Sequence, residues 1–191
     1  MKRLLLITLL SLSSIAQAAT IDLSGARFDD KTRIGASDLK LNGAGIRSRF
    51  FINVYAVGLY LGDRKTTPAD AIASPGVKRL QLQLLRDLTA TQFVDALVES
   101  FRNNNEGADT EPLKGKLEEL KASMLSINAA KKGDIIHLDW LPEQGTRITL
   151  NDKAIGRDIA GEDFYRALMK IWLGPKAVQD SLKDALLGKP Q

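Results

Sequence analysis

The sequence contains no cysteine and a single histidine, His137. Without cysteine the chain has neither disulfides nor a lipoprotein-type anchor, so its core alone must hold it together. His137 and Asp139 share one face of a predicted strand with Ile135, while Ile136, Leu138 and Trp140 point the other way. With no second histidine and no thiolate, that H-x-D pair does not amount to a transition-metal site. No G-x-S-x-G elbow is present, which sets aside a Ser-His-Asp triad. Gly43-Ala44-Gly45 is no dinucleotide fingerprint, because Ser48 stands where the third glycine belongs and the segment runs into a strand. Basic residues occur only in short clusters such as Lys131-Lys132, without interleaved aromatics, so there is no nucleic-acid footprint. Repeats, low-complexity tracts and Pro/Ser-rich linkers are lacking too, which leaves one domain. No apolar run reaches the roughly 20 residues of a membrane span.

The apolar run at the N-terminus reads as an address. Met1-Lys2-Arg3 is a positive n-region, Leu4–Ile15 an apolar h-region, and Ala16-Gln17-Ala18 a small-residue cleavage motif. The prediction is a signal peptide over residues 1–18, cleavage after Ala18, a periplasmic location, and one domain over 19–191. With Lys2 and Arg3 gone, 25 of the 27 basic residues remain against 23 acidic ones, a net +2. A chain of this length can bury a sizeable core.

Hydrophobic periodicity then sets out the elements. Ile34–Asn42 reads as a strand entering a glycine turn, and Phe50–Leu61 as a long buried strand. Thr67-Pro68 opens a short helix over Ala69–Ala73. Val77–Leu85 alternates, with Leu80, Leu82 and Leu84 on one face and Gln81 and Gln83 on the other. Thr89 and Gln92 form a capping box, followed by a helix with Phe93, Val94, Leu97, Val98 and Phe101 on its stripe and a frayed end at Asn103-Asn104-Asn105. Leu113, Leu117, Leu120, Met124 and Ile127 mark another helix. Asp134–Leu141 and Thr146–Asn151 form a hairpin, with a third strand over Lys153–Ile159. A helix over Glu162–Leu173 ends at an αL Gly174 before Pro175, and a last one carries Val178, Leu182, Ala185 and Leu186 up to Gly188. This order predicts α+β: one antiparallel-rich sheet with helices on a single face.

Asn42–Gly62 carries the strongest functional signal. Gly43 and Gly45 lead into a β-branched and aromatic run whose start is interrupted by Arg47, Arg49 and Asn53. A cation taken into a largely buried layer is paired, exposed in a cavity, or offered to a ligand. Arg47 is therefore a structural ion-pair partner, an exposed strand-edge guanidinium, or an anion receptor, for which the guanidinium fork suits carboxylate or enolate oxygens. Tyr55 and Tyr60 fall on opposite faces by parity. Phe93, Ala96 and Ser100 share a helix face that plain core packing also explains.

The order G-A-G-x-R, then a strand ending Gly58-Leu59-Tyr60-Leu61, resembles the chalcone isomerase family. The likeness extends to the capped helix at Thr89–Arg102, the G-T-x-I-x-L-N hairpin at Gly145–Asn151, and Phe164 with Ile171-Trp172-Leu173-Gly174, then Leu182-Lys183 and Leu187-Gly188. The later signatures look more like a secreted bacterial branch than the plant enzymes. The resemblance implies an open-faced β-sandwich with a ligand cleft between sheet and helices. In the plant enzymes an arginine, a threonine, a tyrosine, an asparagine and a further hydroxyl residue organise cyclisation of an enone. Carried over by position, only the arginine survives, as Arg47; Tyr55, Phe93, Ser100 and Ile171 stand at the other places. Phe93 and Ile171 cannot donate the hydrogen bonds a developing enolate needs. Fatty-acid-binding members of the family use their arginine for the head group. The expectation is thus a non-catalytic binder of a fatty acid or similar hydrophobic carboxylate, without cofactor or metal, with ligand contacts at Arg47, Tyr55, Phe93, Ser100 and Ile171. The alternatives are an isomerase acting on a small enone and an envelope interaction module without ligand.

Overall fold

A computed structural model describes residues 19–107, 110–127 and 129–189. The predicted signal peptide lies outside the described residues. Seven antiparallel strands form the main sheet, in the order β11-β10-β9-β6-β5-β4-β3. These are β3 (Lys31–Ile34), β4 (Ser37–Arg49), β5 (Ile52–Leu61), β6 (Lys78–Leu84), β9 (Ile135–Leu141), β10 (Gly145–Leu150) and β11 (Lys153–Ala154). On one face lie α1 (Pro68–Ala73), α2 (Ala90–Asn104), α3 (Glu111–Leu125) and α4 (Glu162–Leu173), while α5 (Asp180–Leu186) packs beside β4. Between β6 and β9 the chain leaves the sheet to make α2 and α3, flanked by the short paired strands β7 (Leu88–Thr89) and β8 (Ala129–Ala130). The expected α+β open-faced architecture is what forms.

Side-chain alternation explains the layering. Tyr55, Val57, Leu59 and Leu61 of β5 and Leu80, Leu82 and Leu84 of β6 join the core beneath the helices. Phe93, Val94, Leu97, Val98 and Phe101 of α2, and Phe164, Leu168, Ile171 and Trp172 of α4, close it from above. Each fully buried Leu, Ile or Phe contributes about 1.5–3 kcal/mol. Thr89 accepts from the Gln92 backbone N–H while Gln92 returns a bond to the Thr89 N–H, the predicted capping box. Thr67 caps α1 ahead of Pro68, its hydroxyl accepting from the Asp70 N–H and donating to the Asp70 carboxylate. At the edge of the core Lys78 is fully buried; its Nζ donates to Ser74 O at 2.6 Å and to Glu162 Oε1 at 2.7 Å.

The other face of the sheet is partly covered by a hairpin that sequence periodicity does not announce, β1 (Thr20–Leu23) with β2 (Ala26–Asp29). Ala26 and Phe28 are buried there with Leu39, Leu41, Ala56 and Tyr60. Gln81 and Gln83 on the polar face of β6 bond the Arg27 carbonyl and N–H, which ties the hairpin down. Tyr55 and Tyr60 take opposite faces, as parity requires.

Several expected details differ. Gly43 and Gly45 lie within the unbroken strand β4, not in a turn, with a register shift between Leu41 and Gly43. Gly43 is needed for close approach: a Cβ there would collide with the Ala185 carbonyl oxygen of α5. The real turn comes later, at Phe50-Phe51, so β5 begins at Ile52. Gly174 is extended (φ −74°, ψ 178°), not αL. The carboxamide of Asn104 occupies the space where its Cβ would go. Asn104 and Asn105 do not fray: Asn104 bonds Lys176 O at 2.7 Å and Lys176 N at 2.9 Å, and Asn105 reaches Ala167 O. The third strand predicted over Lys153–Ile159 shrinks to two residues and an isolated Thr146–Ile159 bridge, interrupted at the positive-φ Gly156.

Candidate functional site: an apolar cleft with an open guanidinium edge

Between the outer end of the β4–β5 hairpin and the helices α2 and α4 lies a cavity of about 470 Å³. That is within the usual range for small-molecule sites, about 300–1,000 Å³. Arg47, Tyr55, Phe93, Ser100 and Ile171 all line it, so the five residues carried over by position meet in one place. Its interior is built from the buried Tyr55, Phe93, Leu97, Ile171 and Trp172, whereas its mouth carries the exposed Arg49, Phe50, Ile52, Arg86, Asp95 and Glu99.

Strand register sets the polar end. Arg47 of β4 and Tyr55 of β5 are directly opposite one another, so both side chains leave the sheet on the helix side. Arg47 Nη1 donates to its neighbour's carbonyl, Ser48 O, and to Gln179 Oε1 at 3.3 Å. Gln179 also accepts from the Ser48 N–H at 3.0 Å, donates to Ile46 O at 3.3 Å, and bonds Ser181 Oγ. The glutamine occupies the N-cap position of α5 without capping it; its carboxamide instead fastens the guanidinium stem to the end of β4. The Nε and Nη2 donors of Arg47 have no hydrogen-bond partner, and the guanidinium no ion-pair partner, among the described residues.

Three other arginines show how that edge takes a carboxylate. Arg33, Arg79 and Arg147 each present Nε and Nη2 to the two oxygens of one aspartate, Asp38, Asp139 and Asp158, at 2.6–3.0 Å. This two-pronged contact is the strong mode of arginine–carboxylate recognition. Arg47 keeps the same edge unpaired beside an apolar cavity.

Tyr55 supplies a second donor. Trp172 Nε1 donates to its hydroxyl oxygen at 3.0 Å, which leaves the phenolic proton for another acceptor. Burial pushes the Tyr55 pKa up to about 12, against smaller lowering effects from the Trp172 bond and the Arg47 charge, so the hydroxyl stays protonated at neutral pH. Phe93 packs edge-on to it with ring centroids 6.3 Å apart. Ser100 donates to Ala96 O at 2.8 Å, which engages its proton within α2. Trp172 and Gln179 had no role in the sequence reading. Trp172 lay inside the quoted motif, but its hydrogen bond crosses 117 positions; nothing local marks Gln179.

Elsewhere, the His137–Asp139 face is structural. Asp139 is committed to Arg79, and His137 lies 3.3 Å from Thr149 Oγ1. Burial and the nearby Arg79 charge hold the His137 pKa below its ordinary value. Among the described residues no acidic, His or Cys cluster could hold a metal, and no helix is long and apolar enough to cross a membrane.

No curated protein matches this sequence significantly. Among solved structures, the crystal structure of a fatty-acid-binding protein of Arabidopsis thaliana superposes with a TM-score of 0.70. It is 17% identical in sequence, over 90% of this chain and 96% of that one, a likeness of fold. The sequence profile described as chalcone isomerase-like matches residues 19–188, all but the ends of the chain. The chain belongs to the chalcone isomerase-like family.

Proposed function

We propose that this protein is a non-catalytic binder of a fatty acid or similar hydrophobic carboxylate, with Arg47 as head-group receptor and Tyr55 as its companion donor. The observation that carries the reading is the open Nε/Nη2 edge of Arg47 beside the buried Tyr55 hydroxyl at the end of an apolar cavity, the same edge that Arg33, Arg79 and Arg147 each present to an aspartate. A carboxylate ligand would complete the same contact. Its chain would lie among Phe93, Leu97, Ile171 and Trp172 and contribute about 0.8 kcal/mol per buried CH₂ before ordering costs. The fatty-acid-binding function of the Arabidopsis thaliana protein supports the reading.

Cyclisation of an enone has less support. It calls for several donors aimed in advance at a developing enolate. Around this cavity Phe93 and Ile171 have none, and the Ser100 proton is engaged with Ala96. Titration calorimetry of fatty acids into the purified, delipidated protein tests the proposal. Wild type should bind, with affinity rising with chain length until the cavity is filled. Absence of binding, or equal binding by Arg47→Ala, would overturn it.

The N-terminal segment supports a periplasmic setting. Protein recovered from a periplasmic fraction should begin at Ala19; a chain retained in the cytoplasm with Met1 intact would contradict that location.

A further inference from the structure

The hairpin joining β4 and β5 ends in three consecutive exposed apolar residues. Phe50, Phe51 and Ile52 are 81%, 105% and 51% exposed. Both phenylalanines have positive φ, 50° and 64°. A two-residue turn with both φ values positive favours Asn-Gly or Asp-Gly, because a bulky side chain in that conformation is strained. The aromatic pair is therefore unfavourable for the fold on two independent grounds: its side chains meet water and its backbone is strained. Within the monomer Phe50 borders the cavity mouth, and Phe51 is fully exposed.

The surroundings indicate what it meets. From Gly45 to Gly62 the hairpin contains two arginines and no acidic residue. Arg49 lies at the base of the turn with its guanidinium 5.4 Å from the Phe50 ring centroid. Arg86, on the connection between β6 and β7, is exposed at the same mouth, while Asp95 and Glu99 belong to the α2 side. An aromatic apex on a hairpin whose only charged side chains are Arg47 and Arg49 matches the layering of an anionic bilayer, with rings at the acyl boundary and guanidinium groups among the phosphates. A three-residue point offers far less than the roughly 1,000 Å² a stable protein interface buries. A bilayer, unlike a folded partner, yields around a wedge of that size.

We propose that the Phe50-Phe51-Ile52 tip docks this protein on anionic phospholipid bilayers and holds the mouth of its cavity against the lipid surface. The inference rests on the tip alone and stands whether or not the cavity binds fatty acids.

The test uses the purified, delipidated protein and vesicles of phosphatidylglycerol with phosphatidylcholine, read by co-sedimentation. The double substitution F50N/F51G removes the aromatics and installs the residues this turn prefers, so its thermal midpoint should equal or exceed that of wild type. Wild type should partition onto the mixed vesicles roughly tenfold or more better than F50N/F51G, and less as salt rises. Arg49→Gln should weaken binding to mixed vesicles and leave the weaker binding to pure phosphatidylcholine unchanged. No partitioning by wild type, equal partitioning by F50N/F51G, or a phenylalanine-dependent dimer in analytical ultracentrifugation without vesicle binding would overturn the proposal.

Discussion

Arg47 and Arg79 leave opposite faces of the same sheet, and their surroundings give them different work. Arg79 on β6 faces Asp139 across the β6–β9 ladder and grips it through Nε and Nη2, both at 2.7 Å. The pair is nearly dry, with side chains 15% and 4% exposed. Burial alone would lower the Arg79 pKa, yet Asp139 outweighs it and holds the value above the ordinary one. Arg47 on β4 faces Tyr55, a neutral donor, and is fastened through Nη1 alone. The chemical group is identical in the two places. What differs is whether the opposite strand offers a carboxylate. Where it does, the arginine is spent on the fold; where it offers a phenol beside a cavity, the fork stays available to a ligand.

The contrast predicts different consequences for stability and for binding. The largest effect should come from Asp139→Ala, which strands the Arg79 charge in a buried site. Loss of about 3–5 kcal/mol of unfolding free energy is expected by urea denaturation. An effect below about 1 kcal/mol would mean that water reaches the pair and that the two arginines are less different than described.

Arg47→Ala should reverse this pattern. It removes no ion pair, so stability should change by less than about 1 kcal/mol, while fatty-acid affinity falls by about 1.5–3 kcal/mol, the value of a charge-assisted hydrogen bond. A fold that collapses without Arg47 would make it a second structural arginine.

A smaller effect belongs to Tyr55→Phe, which leaves the buried Trp172 N–H without its acceptor and should cost about 1–3 kcal/mol. This substitution also carries a pH signature. The folded-state pKa of Tyr55, about 12, lies above the ordinary 10.0. Its stabilising contribution is therefore complete below about pH 10 and is lost as pH rises towards about 12. Alkaline unfolding of Tyr55→Phe should be shallower than that of wild type over this interval. An unchanged slope would show that the Tyr55 hydroxyl is not desolvated.

Much of this architecture was legible from local pattern. The Thr89–Gln92 capping box, the alternation of Leu80, Leu82 and Leu84, and the stripe of α4 are each written within one or two turns of chain, where periodicity and capping act. The misses are long-range. Gly43 reads as a turn residue until α5 is found lying where its Cβ would be, and Asn104 reads as a fraying end until Lys176 arrives to bond it. Phe50-Phe51 was hidden for a different reason: two aromatics lack every turn signal and extend the β-pattern around them. The candidate site was legible in part. Family spacing brought Arg47, Tyr55, Phe93, Ser100 and Ile171 together, but no spacing reveals that Gln179 fastens Arg47 while leaving its Nε/Nη2 edge unpaired. That fact depends on which side chains the fold sets around the guanidinium, and it separates Arg47 from an ion-paired arginine such as Arg79.

The most direct measurement of the central claim compares a fatty acid with its alcohol of equal chain length, titrated into wild type and Arg47→Ala. Both ligands fill the apolar cavity equally, so their difference isolates the open guanidinium edge. Wild type should prefer the carboxylate by roughly tenfold or more, and Arg47→Ala should bind the two alike. The same preference in both proteins would contradict Arg47 as the head-group receptor.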